Sequence, residues 1–344
     1  MLFDFGLLVA GLVFLVFAGD FLVRGAVAVA LRLGVSHILA SVFIVGFGSS
    51  APEMLVAIES TLKGAPGVAT GNIIGSNIAN IFLVLGIPAL IMPMTTRGTG
   101  LKRAVTVTAL ATAAWLTATA TVGLVPAVGI GFLVGLGLYI LAALIFPPGG
   151  NPEELIADEV EEPFPGWVRT AFFIALGVVG LPAGAHLAIE GATGLATTFG
   201  VGDELIALTL LAVGTSLPEF AASMAAAFRR QADVVLGNVA GSVMFNILAA
   251  GGIIALLGPV DLPPIFFELD HWFMGVSMGM FLLCVLSGRR MGWLTGIFFI
   301  LCYAVYMFGL NHFYLLGQGW DTVLVEADRL WSMLWNSLTQ IVRS

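Results

Sequence analysis

Apolar runs of about 20 residues recur along the whole chain, the length at which a helix crosses a bilayer. The breaks between them delimit ten spans, at 5–31, 37–62, 68–94, 102–121, 125–146, 167–197, 205–228, 233–258, 271–287 and 292–312. The first run has the position and apolarity of a secretory signal, but it opens on Asp4 where such signals are basic, and it carries Asp20 and Arg24. It reads as a retained first helix.

Polar positions interrupt this pattern twice, in the same way. Residues 48–80 read GSSAPEMLVAIESTLKGAPGVATGNIIGSNIAN and residues 214–246 read GTSLPEFAASMAAAFRRQADVVLGNVAGSVMFN. A gapless offset of 166 aligns Gly48 with Gly214, Ser50 with Ser216, Pro52 with Pro218, Glu53 with Glu219, Asn72 with Asn238, Gly75 with Gly241, Ser76 with Ser242 and Asn80 with Asn246. It also carries Gly25-Ala26 onto Gly191-Ala192. The duplicated unit is therefore a half-protein: residues 1–146 with a motif at 46–86, and residues 167–312 with a motif at 212–252. Packing against lipid would have kept the apolar positions alike. The kept positions are polar or glycine, which points to one site built from two halves.

Composition agrees with the spans and charge orients them. With 59% apolar and 10% charged residues, an ordinary soluble domain is excluded. If the N-terminus lies outside, the loops facing the cytoplasm hold Arg32, Arg97, Lys102, Arg103, Arg169, Arg229, Arg230, Arg289 and Arg290, and the opposite loops hold Lys63 alone. That is the asymmetry of the positive-inside rule, and it gives the halves opposite orientations. The expected fold is an all-α polytopic membrane protein of ten transmembrane helices in two inverted five-helix repeats, with broken helices at the ion sites. Both termini would lie outside, in the cell (plasma or inner) membrane, with lipid as the surroundings and no nucleic acid or obligate protein partner. The net charge of −8 concentrates in residues 147–166, a cytoplasmic linker read as solvated, while residues 320–342 within the tail 313–344 read as an amphipathic interfacial helix. Cys284 and Cys302 lie inside spans and give neither a disulfide nor a metal framework.

The repeated residues define the chemistry. Pro52 and Pro218 remove an amide donor and disfavour helix at the preceding residue, and Gly48 and Gly214 loosen the turn before, so each helix is expected to break there. A break at membrane depth is tolerated only inside protein or beside a wet cavity, which makes freed carbonyls available beside Glu53 and Glu219. Helical spacing sets Ser50 near Glu53 and Ser216 near Glu219, and puts Ser76 with Asn80 and Ser242 with Asn246 on shared faces. Carboxylate, amide, hydroxyl and carbonyl are hard oxygen donors, and no histidine or cysteine is repeated. Calcium or sodium fits this set better than zinc, copper or iron. A carboxylate at bilayer depth costs roughly 2.5–3.5 kcal/mol on insertion scales, so a cation must offset it. An internal salt bridge is the alternative, but Arg24 is the one plausible partner and Asp20 lies four residues before it. Asp20, Arg24, His186 and Glu190 read as local structural pairs, Glu59 as a helix-end residue, and Asp203, Glu204, Glu268 and Asp270 as a solvated outer rim.

The segments GSSAPE…GNIIGSNIAN and GTSLPE…GNVAGSVMFN resemble the two α-repeats of the Ca2+/cation antiporter superfamily, most closely its prokaryotic sodium/calcium exchangers. That resemblance implies a transporter, not an enzyme, with no cofactor and with Ca2+ and Na+ as transported ions. It further implies four central cation sites in a diamond, alternating access by sliding of the first and sixth helices, and three Na+ moved per Ca2+. By motif position, Glu53 and Glu219 would ligate Ca2+ and share Na+. Ser49, Ser50, Ser76, Asn80, Thr215, Ser216 and Ser242, with the carbonyls of Gly46 and Ala212, would complete the sodium sites. Asn246 stands where relatives of this type often carry aspartate, so two carboxylates remain instead of three and potassium coupling is not expected. Ser49 replaces the more usual threonine, Val243 the amide of G-S-N, and His186 an acid. Two rival transport readings remain: a Ca2+/H+ antiporter, whose branch usually shows G-N-x-x-E in place of Ser49-Ser50 and Thr215-Ser216, and a cation channel. A non-transporting membrane subunit of an enzyme complex is a third.

Overall fold

The computed structural model describes residues 1–146, 166–198, 214–260, 262 and 265–310. The acidic linker, the tail, Asp203, Glu204 and Ala212 lie outside these residues. Residues Met1–Ile300 form one compact unit, and the chain from Leu301 belongs to a second.

The first half comprises α1 (Leu2–Leu33), α2 (His37–Ser49), α3 (Ala51–Leu62), α4 (Pro66–Ile91), α5 (Leu101–Thr121) and α6 (Pro126–Ile145). The second comprises α7 (Trp167–Thr198), α8 (Leu217–Phe228), α9 (Ala232–Leu257), α10 (Phe266–Ser287) and α11 (Trp293–Leu310). Among the described residues eight helices are long and apolar enough to cross a bilayer, and the bent pair α2–α3 makes a ninth. The span expected at 205–228 is described only in its second part, as α8. Most expected boundaries shift by a few residues, because helix ends follow caps and not hydropathy. Gly34, at φ 64°, stops α1 in a left-handed cap that lets its amide reach the Ala30 carbonyl.

The outer surface is strongly apolar. Phe14, Phe17, Leu110, Leu138, Val179 and Leu283 are each more than half exposed, as lipid-facing side chains are. The interior is largely apolar too, with Glu53, Glu219, Asn80, Asn246, Ser49 and Ser242 fully buried within it. In α4 and α9, which carry the G-N-x-x-G-S stretches, 78% and 89% of the most apolar window is buried, against 22–39% for the other long helices. These two helices form the axis of the molecule. Their glycines permit it: a Cβ on Gly241 would lie 2.5 Å from the Val42 carbonyl oxygen of α2, and one on Gly46 would lie 2.9 Å from the Gly241 Cα. Backbone therefore crosses backbone where α2 meets α9. Similarly, α1 and α7 approach through Gly177 against Leu22 and Gly184 against Gly11 and Leu15.

One departure from an all-helical chain is a two-residue antiparallel pair, β1 (Met94–Thr95) with β2 (Arg290–Met291). It joins the loop after α4 to the loop after α10, with Thr96 Oγ1 donating to the Arg289 carbonyl at 2.8 Å. At another junction, Leu124 and Val260 bridge the loops after α5 and α9.

Candidate functional site

The two motifs fold alike in the backbone. Ser50 ends α2 at φ −83°, ψ 2°, and α3 leaves it bent by 46°. Ser216 precedes α8 at φ −88°, ψ 5°. In both cases the proline sits in the first turn of the next helix, where its missing amide costs nothing. Glu53 and Glu219 then fall in that same first turn, where the amide ends favour negative charge. The expected break is present at Ser50; at Ser216 the described residues show the non-helical turn and the helix that follows it. A feature the sequence did not announce accompanies them: α2 is π-helical over Ser41–Gly46, α4 over Asn80–Val84 and α9 over Asn246–Gly251. The last two begin at aligned residues. A π-turn inserts a residue into the helix and frees backbone groups, a recurrent device at functional sites.

Glu53, Glu219, Ser49, Ser50, Asn80, Ser242 and Asn246 are fully buried, and Ser76 and Ser216 nearly so; Thr215 is half-buried. The Glu53 and Glu219 carboxyl groups, one from each half, lie within interacting reach of each other. Among the described residues neither has an ion-pair partner. Both Glu53 oxygens, Oε2 of Glu219, the Ser76 and Ser216 hydroxyls, Oδ1 of Asn246 and the whole Asn80 amide are buried with no hydrogen-bond partner there. Buried polar atoms are ordinarily paired, so this concentration of unpaired oxygens is what a cation-ligating cluster requires.

The wiring differs from helical spacing in one respect. Ser50 Oγ does not serve its own Glu53; it donates to Glu219 Oε1 at 2.7 Å, across the two halves. The break at Ser50 turns the hydroxyl out of the helical register that would have paired it with Glu53. Ser49 Oγ lies 3.3 Å from Asn238 Oδ1 and 3.4 Å from Ser242 Oγ, and Ser242 Oγ donates to the Gly46 carbonyl at 3.4 Å. Gly46 thus presents its oxygen to the site. Ala212 lies outside the described residues.

Three asparagines absent from the expected ligand set take part. Asn72 Nδ2 donates to the Glu53 carbonyl and Asn238 Nδ2 to the Glu219 carbonyl, each at 3.2 Å. Their equal distance of 19 residues from the glutamates was the available signal. Asn77 Oδ1 accepts from Asn246 Nδ2 at 3.2 Å. Its counterpart is Val243, so the repeat offered no pointer to it.

The other expectations sort by geometry. Asp20 pairs with Arg24 at 2.9 Å as expected, but it also takes Arg229 from the C-cap of α8, a long-range partner. His186 and Glu190 stand 3.8 Å apart on an exposed face, and Glu59 pairs with Lys63 at the exposed end of α3. Asp270, expected on a solvated rim, is instead buried one turn into α10.

The family model for sodium/calcium exchanger protein matches residues 3–146 and 169–310. The chain belongs to that family, whose members are transporters and not enzymes. It is 36% identical to CaxA of Alkalimonas amylolytica over 253 residues, 72% of this chain and 79% of that one. It is 27% identical to the sodium/calcium exchanger MaX1 of Methanosarcina acetivorans over 294 residues, covering 75% and 84%. The structure of the sodium-calcium exchanger NCX_Mj superposes with a TM-score of 0.75 at 29% identity, over 88% of this chain and 97% of that one.

Proposed function

We propose that this protein exchanges Ca2+ for Na+ across a cell membrane by alternating access, using the Glu53–Glu219 cluster as the shared site. One observation carries the reading: two fully buried carboxylates from opposite halves, with hydroxyl and amide oxygens beside them and no protein cation paired to either among the described residues. Two carboxylates supply a charge that one Ca2+ or two Na+ would neutralise, so a pair of such groups is costly to leave bare in a dry interior. Glu53 and Glu219 ligate Ca2+ and share Na+. Ser49, Ser50, Ser76, Asn80, Thr215, Ser216, Ser242 and Asn246, with the carbonyls of Gly46 and Ala212, supply the remaining oxygens.

Competition for these oxygens is the coupling. A site loaded with either ion crosses between outward and inward arrangements, and a bare one resists because its net negative charge would pass through low dielectric. With three Na+ per Ca2+ each cycle moves net charge and responds to voltage. Asn246 adds no third carboxylate, which supports an exchanger that does not use K+. The ten-helix inverted repeat is supported by the matched backbone at Ser50 and Ser216 and by the basic loops, which also support outside termini and a cytoplasmic linker.

Radiolabelled Ca2+ accumulation in proteoliposomes, with Na+, K+ and pH gradients imposed one at a time, tests the reading. Uptake is expected with an inside-high Na+ gradient and not with K+ or pH gradients alone. Uptake driven by pH alone would favour Ca2+/H+ exchange instead, and unitary currents would favour a channel.

A further inference from the structure

We infer that Asn238 is a positioning residue for cation coordination: its Oδ1 accepts the hydrogen bond of the Ser49 hydroxyl and so turns that oxygen's lone pairs toward the cation. The inference rests on the reading of the two-glutamate cluster as a cation site. Asn238 is fully buried in α9. Its Nδ2 lies 3.2 Å from the Glu219 carbonyl oxygen and 2.9 Å from Ser223 Oγ, and its Oδ1 lies 3.3 Å from Ser49 Oγ. A carbonyl oxygen can only accept, so the amide nitrogen must face Glu219, and the amide oxygen is left facing Ser49. An amide oxygen cannot donate either, so the proton in that contact belongs to Ser49.

This sets the direction of a bond that is otherwise free to rotate. Ser242 Oγ at 3.4 Å and the Gly46 carbonyl at 3.5 Å are also within reach, and the Glu219 carboxyl competes for the same hydroxyl until a cation engages its oxygens. Ser242 in turn has the Gly46 carbonyl to receive its own proton. A hydroxyl whose proton is committed elsewhere offers lone pairs to a hard cation, whereas one whose proton points into the site repels it. Because Asn238 belongs to the second half and Ser49 to the first, one half presets a ligand carried by the other. The same amide pegs the backbone of Glu219, which ties a hydroxyl and a carboxylate of the cluster to one rigid group.

The first half lacks this arrangement. Asn72 makes the matching bond to the Glu53 carbonyl at 3.2 Å, but it is only half-buried, and Ala57 stands where the other half has Ser223. No hydrogen bond joins Asn72 to Thr215, the counterpart of Ser49, among the described residues. Orientation of the hydroxyl is therefore a property of one copy, not of the repeat.

The test is a double-mutant cycle on the full chain in proteoliposomes, reading the Na+ and Ca2+ concentrations for half-maximal exchange, with thermal unfolding as a check on folding. Asn238→Leu is expected to raise the half-saturating Na+ concentration about 10-fold, with the Ca2+ value moving less, through the lost bond to the Glu219 carbonyl alone. Added to Ser49→Ala, it should shift the Na+ value by clearly less than it does alone, since the hydroxyl it orients is gone and only its bond to the Glu219 carbonyl is left to lose. Asn238→Ser, smaller and still polar, replaces the leucine variant if that does not fold, with a shift of the same sign. Additive effects of Ser49→Ala and Asn238→Leu on Na+ half-saturation would overturn the assignment, as would a lower maximal rate with Na+ half-saturation unchanged. Glu219→Gln separates the two levels of the argument. Intact Ca2+ flux in that variant rejects the site itself, while loss of flux with additive Ser49 and Asn238 effects rejects only the role of Asn238.

Discussion

Ser50 and Ser216 occupy aligned breaks with backbone angles that differ by only a few degrees, yet the two hydroxyls end differently. Ser50 donates to Glu219 at 2.7 Å, and Ser216 has no partner among the described residues. The contrast continues outward from the site. Asn77 holds Asn246 while Val243 holds nothing polar, and Ser223 supports Asn238 where Ala57 offers only a methyl. Even the turn after the motif helix shows it, being Gly64 at φ 77° in one half and Arg230 at φ 58° in the other. Duplicated prolines and glycines reproduce the backbone, and residues that were not duplicated set the hydrogen bonds. The result is two chemically identical carboxylates in unequal surroundings, one braced by a hydroxyl and one with both oxygens free of partners.

Substitutions can break the comparison at every level. The largest effect is expected at the carboxylates: Glu53→Gln and Glu219→Gln should each abolish nearly all Na+-driven Ca2+ uptake, so the halves are equal in this respect. Next, Ser50→Ala should raise the half-saturating Ca2+ concentration about 10-fold more than Ser216→Ala does, because it alone loses a hydrogen bond to a carboxylate, a bond of about 1.5–3 kcal/mol. Asn77→Val copies the second half into the first and strips Asn246 of its acceptor. A loss of about 1 kcal/mol, or roughly 5-fold in the same measurement, is expected. The smallest effect lies at the turns. Arg230→Gly should stabilise the purified protein by about 1 kcal/mol by relieving a left-handed non-glycine residue, and Gly64→Arg should destabilise it by a similar amount, both read as shifts in Tm.

Much of this was legible in the sequence for a physical reason. Spans are visible because lipid demands continuous apolar surface, and the breaks at Ser50 and Ser216 because proline and glycine act on their own backbone. Glu53 and Glu219 stood out because an unpaired acid at that depth needs a cation. Contacts between halves were less accessible. That Ser50 would cross to Glu219 depends on how far α3 swings from α2, and the Arg229 contact with Asp20 depends on α1 lying against α8. Neither is encoded in local spacing. No residue type announces the π-turns at Asn80 and Asn246. Asn72 and Asn238 were visible as repeated positions, but their role as pegs on the glutamate carbonyls needed coordinates. Asp270 shows the opposite failure: an acid near a helix start is ordinarily solvated, and here it is buried.

Element-specific X-ray difference maps from crystals of the purified protein equilibrated with Ca2+ test the central claim most directly. The account predicts a Ca2+ peak bounded by carboxylate oxygens of both Glu53 and Glu219 and absent from the Glu219→Gln protein. A transporting protein whose Ca2+ peak lies away from these two residues, or whose glutamates are found paired with an arginine or lysine, would contradict it.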